Sequence, residues 1–209
     1  MSARRRRATR APLACLGCCL VALQTACGGG RLDALGPDAL VVAFGDSLTA
    51  GNGVAPERAY PAVLASLSGR RVVNAGVSGE TTAEGLERLP GVLAEHDADL
   101  VILLEGGNDI LRDRSPLEAK RNLDAMIALA KGAGAQVVLV GVPKKSPFSR
   151  SAELYGELAE AHDVPLESGI VSRLLVRSAM KSDAVHFNEA GYAALAEAVH
   201  ALLEDEGAL

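Results

Sequence analysis

Residues 100–104 read Leu-Val-Ile-Leu-Leu, an unbroken apolar run held between Asp99 and Glu105. Such a run is too short for a buried helix, and it lacks the polar alternation of a strand with one wet face. It predicts a strand covered on both sides, which is the habit of parallel sheets sandwiched between helices. Residues 40–44 form a second run of this kind and lead into Gly-Asp-Ser, and residues 71–74, 136–142 and 164–166 supply the others. Helical spacing fills the gaps. Tyr60, Val63, Leu64 and Leu67 mark one stripe, and Leu86, Leu89, Val92 and Leu93 a second. Leu117, Leu123, Ile127 and Ala130 mark a third within 116–131, which opens on Pro116 and is stopped by Gly132 and Gly134. Residues 149–162 predict a further helix and 168–176 a helical turn. Residues 188–203 predict the last helix, with Tyr192, Leu195, Ala196, Val199 and Leu202 inward. Strands alternating with helices imply an α/β fold, a three-layer α/β/α sandwich on a parallel five-stranded sheet.

The chain has 209 residues, enough for one domain with a sizeable core. Aromatic residues are only 3% and Trp is absent, so that core must be built from Ala, Val and Leu. Of 21 basic residues, five are arginines within the first ten positions, so the remainder sets 16 against 26 acidic ones. An acidic body does not suit a phosphate backbone, which excludes nucleic acid as an expected partner.

Residues 1–10 are basic, and residues 11–26 are almost wholly apolar or small and shorter than a membrane span. That order predicts a secretory signal over 1–26 and an exported, periplasmic or cell-envelope protein. All four cysteines, Cys15, Cys18, Cys19 and Cys27, fall there or at its edge, so no disulfide is expected within the domain. Leu23-Gln24-Thr25-Ala26-Cys27 resembles a bacterial lipobox, with Gln24 where that pattern wants an apolar residue. The resemblance implies lipidation of Cys27 and a membrane tether. The alternative is simple cleavage after Ala26. Arg pairs in the basic region admit Tat as well as Sec export. Residues 27–38, rich in Gly, predict a flexible tether, leaving 39–209 as the domain.

In parallel sheets the functional crevice lies at the carboxyl ends of the strands. The conspicuous polar motifs stand there. Ser47 follows the first strand, in Gly45-Asp46-Ser47-Leu48-Thr49. Ser78 and Gly79 follow the second, and Gly106-Gly107-Asn108-Asp109 the third. Asp183 and His186 sit three residues apart near the end. A Ser at a tight strand-to-helix turn can act as a nucleophile, an Asn amide can face a developing oxyanion, and a carboxylate can fix the tautomer of a nearby imidazole. Taken singly, each has an ordinary structural role: N-cap, turn, Asx turn, surface pair.

Taken together, the motifs resemble the SGNH hydrolase superfamily, the GDSL lipase/esterases. Gly45 to Leu48 is the GDSL block, Gly79 matches the second-block glycine, Gly107-Asn108-Asp109 the third block, and Asp183 with His186 the last. The likeness runs from residue 40 to 202 and is nearest the bacterial thioesterase I/lysophospholipase/arylesterase subgroup. It implies a flavodoxin-like sheet and a serine esterase acting on carboxylic or thio esters of acyl chains. The implied roles are Ser47 as nucleophile, His186 as base and Asp183 as its orienting acid. The backbone N–H groups of Ser47 and Gly79 and the side chain of Asn108 would form the oxyanion hole. No metal or organic cofactor is expected, and the default state is a monomer. Phe187 stands where many members have Pro, and residues 143–149 look shorter than the comparable loop, which bears on acyl-chain preference. The competing readings are a deacetylase of cell-envelope carbohydrate and a lipoprotein that binds lipid or sugar without catalysis.

Other polar residues carry blander expectations. Asp46 reads as a structural hydrogen-bonder rather than a base, and His96, His162 and His200 as solvent-facing. Lys144 and Lys145 belong to a solvated loop, and Arg112, Asp113 and Arg114 to the rim of the cleft.

Overall fold

The computed structural model describes residues 31–145 and 151–209. The signal over 1–26, Cys27 with its lipobox, and the larger part of the 143–149 loop lie outside the described residues.

In chain order the elements begin with β1 (Leu40–Gly45), α1 (Ser47–Ala50), α2 (Tyr60–Ser68), β2 (Arg71–Gly76) and α3 (Thr82–Glu95). β3 (Leu100–Leu104), α4 (Gly107–Leu111), α5 (Pro116–Gly132) and β4 (Gln136–Val140) follow. The chain ends with α6 (Glu153–His162), β5 (Leu166–Glu167), α7 (Ile170–Leu175) and α8 (Glu189–Asp205). The sheet has five strands in the order β2-β1-β3-β4-β5, all parallel. From β1 the chain first crosses to one side, to β2, and then travels steadily to the other. Right-handed crossovers in opposite directions put their helices on opposite faces. Accordingly α2 packs with α8, while α3, α5 and α6 pack side by side. The three-layer sandwich expected from the alternation is the fold observed.

Every residue of β3 is buried, as the 100–104 run requires. Its neighbour β1 is buried at five of six positions. Both strands end level: Gly45 pairs with Leu104 on one side and with Gly76 on the other. A Cβ at Gly45 would run into the Leu104 carbonyl, so the close approach of these strand ends demands glycine. The order reverses between β1 and β3, which opens the crevice at their carboxyl ends.

Several expected boundaries shift for physical reasons. The helix expected over 56–68 is split. Pro56–Arg58 is a 3-10 turn, Ala59 is extended, and α2 starts afresh at Tyr60. Pro61 has no N–H to continue the ladder, so it sits in a first turn instead. Leu67 and Leu117 are 44% and 57% exposed rather than inward: Leu67 keeps phase with Tyr60 and Leu64 but stands next to the end of α2, whereas Leu117 lies on the opposite face of α5 from the buried Ala119, Leu123 and Met126. β5 is the pair Leu166–Glu167, later and shorter than expected. The tether expected over 27–38 is not free in its described part. Leu32 and Leu35 are buried, and their N–H groups bond the carbonyls of Glu206 and Ala208 at 3.1 and 2.9 Å. Arg31 pairs with Glu206 at 2.6 Å, and Asp33 exchanges two hydrogen bonds with the Gln136 side chain. The strap thus closes the amino end of the sheet, opposite the crevice.

Candidate active site

β1 delivers the chain to Asp46, the N-cap of α1, whose Oδ1 accepts the Leu48 N–H at 2.9 Å. Ser47 is therefore the first residue of a one-turn helix, with its hydroxyl projecting at the mouth of the crevice. His186 approaches from the loop before α8, its Nε2 3.0 Å from Ser47 Oγ. Asp183 Oδ2 lies 2.7 Å from His186 Nδ1, and its Oδ1 accepts the backbone N–H groups of Val185 and His186, each at 2.8 Å. The bond to the His186 ring, aided by these two backbone N–H groups, draws the Asp183 carboxyl down to about 2. An ionised carboxylate only accepts, so Nδ1 carries the hydrogen and Nε2 is left to accept from Ser47.

The loop is held in shape from below. Phe187 is fully buried and meets Tyr192 edge-on, with ring centroids 5.5 Å apart. The Tyr192 hydroxyl donates to the Asn52 carbonyl at 3.0 Å, tying α8 to the turn after α1. Phe187, at the position where many members of the family the chain resembles have Pro, is a core residue.

On the other side of Ser47 stand Asn108 and Gly79. Asn108 is on α4, and its Nδ2 donates to Asp46 Oδ2 at 3.2 Å and to the Glu80 carbonyl at 2.9 Å. Gly79 has φ +81°, a left-handed conformation that disfavours any side chain. Its carbonyl accepts from Arg112 Nη2 at 2.8 Å, and its N–H enters no hydrogen bond among the described residues. Ser47 and Asn108 line a cavity of about 350 Å³, whereas Gly79 does not line it. The cavity walls are chiefly apolar, with Leu48, Ile110, Val142, Val171, Leu175 and Val185, and Lys144, Lys145 and Lys181 also border it.

Four acids lie buried around this point: Asp46, Glu80, Glu105 and Asp109. Glu80 is paired with Arg88 at 2.6 Å, and that guanidinium also sits 4.1 Å from the Phe44 ring centroid. Asp109 accepts from the Thr82 N–H at 2.8 Å and hydroxyl at 2.7 Å. Glu105 has only the Gly106 N–H on Oε1, at 3.2 Å, and Oε2 finds no protein partner among the described residues. Burial pushes the Asp46 carboxyl up to about 6 and raises Glu105 well above the usual carboxylate range.

The structure thus brings Ser47, Asp183, His186 and Asn108 together, with Gly79 beside them. Asp46 is a hydrogen-bonder, as its place beside Ser47 suggested. Sequence reasoning missed Glu80 and Glu105. Their only signal was that each follows or precedes a strand-end glycine, Gly79 and Gly106. It also missed that Arg112 grips the Gly79 carbonyl. Lys145 pairs with Asp113 at 2.6 Å and Lys144 with Glu153 at 3.2 Å. His162 pairs with Asp124 and His200 with Glu204. Among the described residues no group of three or more His, Cys, Asp or Glu side chains could hold a metal ion.

A hydroxyl, an imidazole and a carboxylate in line, with the Asn108 amide and the Gly79 N–H nearby, are equipped for nucleophilic acyl transfer. Comparison with known proteins agrees. Residues 43–194 match the family model described as GDSL-like Lipase/Acylhydrolase. Over 159 residues the chain is 33% identical to the thioesterase 1/protease 1/lysophospholipase L1 of Escherichia coli K12, covering 72% of this chain and 76% of that protein. Over 160 residues it is 34% identical to esterase TesA of Pseudomonas aeruginosa, covering 70% and 78% respectively. Among solved structures, that of TesA superposes with a TM-score of 0.72 at 33% identity, covering 79% of this chain and 98% of that one. AlinE4, an SGNH-hydrolase family esterase, gives 0.65 at 32% identity, covering 82% and 98%.

Proposed function

The chain belongs to the GDSL-like lipase/acylhydrolase family and is an ester-bond hydrolase, and from that premise we propose that it cleaves carboxylic or thio esters of acyl chains through Ser47, His186 and Asp183. The observation that carries this reading is the continuous line from Ser47 Oγ to His186 Nε2, at 3.0 Å, and from His186 Nδ1 to Asp183, at 2.7 Å. Ser47 Oγ attacks the acyl carbonyl while His186 takes its proton. The imidazolium so formed is steadied by Asp183, then gives the proton to the departing alcohol or thiol. Water repeats the sequence on the acyl-enzyme, with His186 again as base, and releases the acid. The developing oxyanion is met by the backbone N–H groups of Ser47 and Gly79 and by the Asn108 amide. Losing one such donor typically costs about 10²–10³ in turnover.

The apolar walls of the cavity beside Ser47 favour an acyl chain over the acetyl group of a carbohydrate ester. Relatives named as thioesterase, lysophospholipase and arylesterase support the same class. The basic-then-apolar order of residues 1–26 supports export, with Cys27 as the candidate lipidated residue. Mass spectrometry of the mature N-terminus tests that part.

Labelling with a fluorophosphonate tests the mechanism. Wild type is expected to take up one equivalent and Ser47→Ala none, and equal labelling of the two would refute the assignment. A chain-length series of nitrophenyl esters and acyl thioesters, run beside acetylated sugars, then defines the ester class.

A further inference from the structure

The two oxygens of Asp46 serve two different elements. Oδ1 accepts from Leu48 N–H at 2.9 Å, within the turn that carries Ser47. Oδ2 accepts from Asn108 Nδ2 at 3.2 Å, on the helix that follows β3. The Asn108 amino group has two hydrogens, and the Glu80 carbonyl, 2.9 Å away, receives the other. Glu80 is itself anchored by Arg88, which also donates to the Ala75 carbonyl at 2.9 Å. The amide that faces the cavity is therefore held in plane from two sides, and one holder is the residue that caps the turn bearing the serine. Asp46 is only 3% exposed, so water does not substitute for either contact.

We propose that Asp46 is a positioning residue for the hydrolysis: its single carboxylate ties the Ser47 turn to the Asn108 amide and so fixes two oxyanion donors, from α1 and α4, at one spacing. The inference rests on the reading of Ser47 as nucleophile and Asn108 as oxyanion donor. When the oxyanion forms, the hydrogen held by Asp46 is the one available to be shared with it, since the Glu80 carbonyl lies in the backbone and cannot rotate away.

The chemistry explains why this position needs a carboxylate. Asp offers two acceptors and no donor. Asn offers one acceptor, so it either caps Leu48 and turns an amino group toward the Asn108 amino group, or keeps Asn108 and uncaps the turn. Ser is a good N-cap acceptor, but it is too short to reach Asn108. Asp46→Ser therefore releases the amide, and Asp46→Asn gives up either the amide or the cap of the Ser47 turn. Neither leaves a buried charge behind, but each leaves one buried N–H without its acceptor, so a modest loss of stability accompanies both.

The test measures kcat and KM on a nitrophenyl ester for Asp46→Asn, Asp46→Ser, Asn108→Ala and the Asp46→Asn/Asn108→Ala double variant. Rates are normalised by fluorophosphonate titration, and each protein is melted. The expected result for Asp46→Asn and Asp46→Ser is a fall in kcat of more than about fivefold, with KM changed less than about threefold. Any fall in Tm should be modest, and because kcat is taken per titrated site of the folded protein, its loss at nearly constant KM is a split that a purely structural role does not give. In the Asn108→Ala background, Asp46→Asn should cost less than about twofold more, because no amide remains to be held. Should Asp46→Asn fail to fold, Asp46→Ser answers the question by itself. Turnover that stays within fivefold of wild type in the Asp46 variants, while Asn108→Ala is impaired, overturns this inference alone. A full additive loss in the double variant does so too. Asn108→Ala with wild-type turnover overturns the oxyanion reading and takes this inference with it.

Discussion

Asp183 holds His186 twice, through Oδ2 to the ring Nδ1 at 2.7 Å and through Oδ1 to the backbone N–H at 2.8 Å. The spacing of three is what permits this, since one carboxylate can close the turn and still reach the ring. The second contact orients the loop as well as the imidazole. Asp183→Asn keeps the shape but can present an amino group to Nδ1, which selects the tautomer that cannot accept from Ser47. In a serine protease triad that change costs about 10⁴ in kcat. The Asp183 side chain here is 54% exposed, so water can stand in partly. Expected is a loss of about 10²–10⁴ in kcat with KM little altered, measured on a nitrophenyl ester. A loss below tenfold would show that Asp183 is not the orienting acid.

Glu105 and Asp46 make stability depend on pH in the opposite sense from a paired carboxylate. Burial raises both, Asp46 to about 6 and Glu105 well above its ordinary value. A carboxyl raised on folding keeps its proton in the folded state where the unfolded chain has released it. The folded state therefore loses stability as pH rises, for Asp46 from about 4 through about 6. Glu105→Gln removes the stronger case while Oε1 still accepts from Gly106. The expected outcome is a higher Tm at pH 8, at roughly 2–4 °C per kcal/mol for a chain of this size. The gap in Tm between pH 5 and pH 8 should also narrow. A lower Tm at pH 8 would mean that Glu105 has a buried partner as its anion.

The architecture was legible because its signals are local and periodic. The Leu100–Leu104 run could only be a doubly covered strand, and each motif residue stood at a strand end. What escaped the sequence was set by distance in the chain. Glu105 and Glu80 are 25 positions apart, and only the level ends of β1, β2 and β3 bring them to one place with Asp46. The burial of Leu32 and Leu35 also depends on a partner far along the chain, the α8 terminus at Glu206–Ala208, so a Gly-rich lead-in looked free. Leu67 kept helical phase but stands next to the end of its helix, whereas Leu117 falls on the opposite face of its helix from the stripe it was counted in.

Leu175, at the end of α7, is half-buried and borders the cavity that holds Ser47. A larger side chain there shortens the space for an acyl chain without touching the hydroxyl or the imidazole. Leu175→Trp is expected to lower kcat/KM for octanoyl and longer nitrophenyl esters by about tenfold or more, since each buried methylene is worth about 0.8 kcal/mol. The acetyl ester should stay within about twofold. An equal loss across all chain lengths would place the acyl chain elsewhere.

The strap from Arg31 to Leu35 gives a test that separates stability from catalysis. Leu32 and Leu35 are 8% and 7% exposed, and they cover the amino end of the sheet where the α8 terminus returns. Ser47 and His186 are at the carboxyl ends of the strands, on the far side. Removing a buried leucine side chain costs about 2–5 kcal/mol, through lost burial and the cavity left behind. For the Leu32→Ala/Leu35→Ala pair the cost should fall toward the low end per site, because a surface strap can settle into the gap. Urea denaturation should show a clear drop in midpoint with little change in slope. The kcat and KM of the folded double variant at 25 °C should match wild type. Unchanged stability would mean that residues 31–35 are a tether after all, and lost turnover in the folded protein would mean that the strap communicates with the site across the sheet.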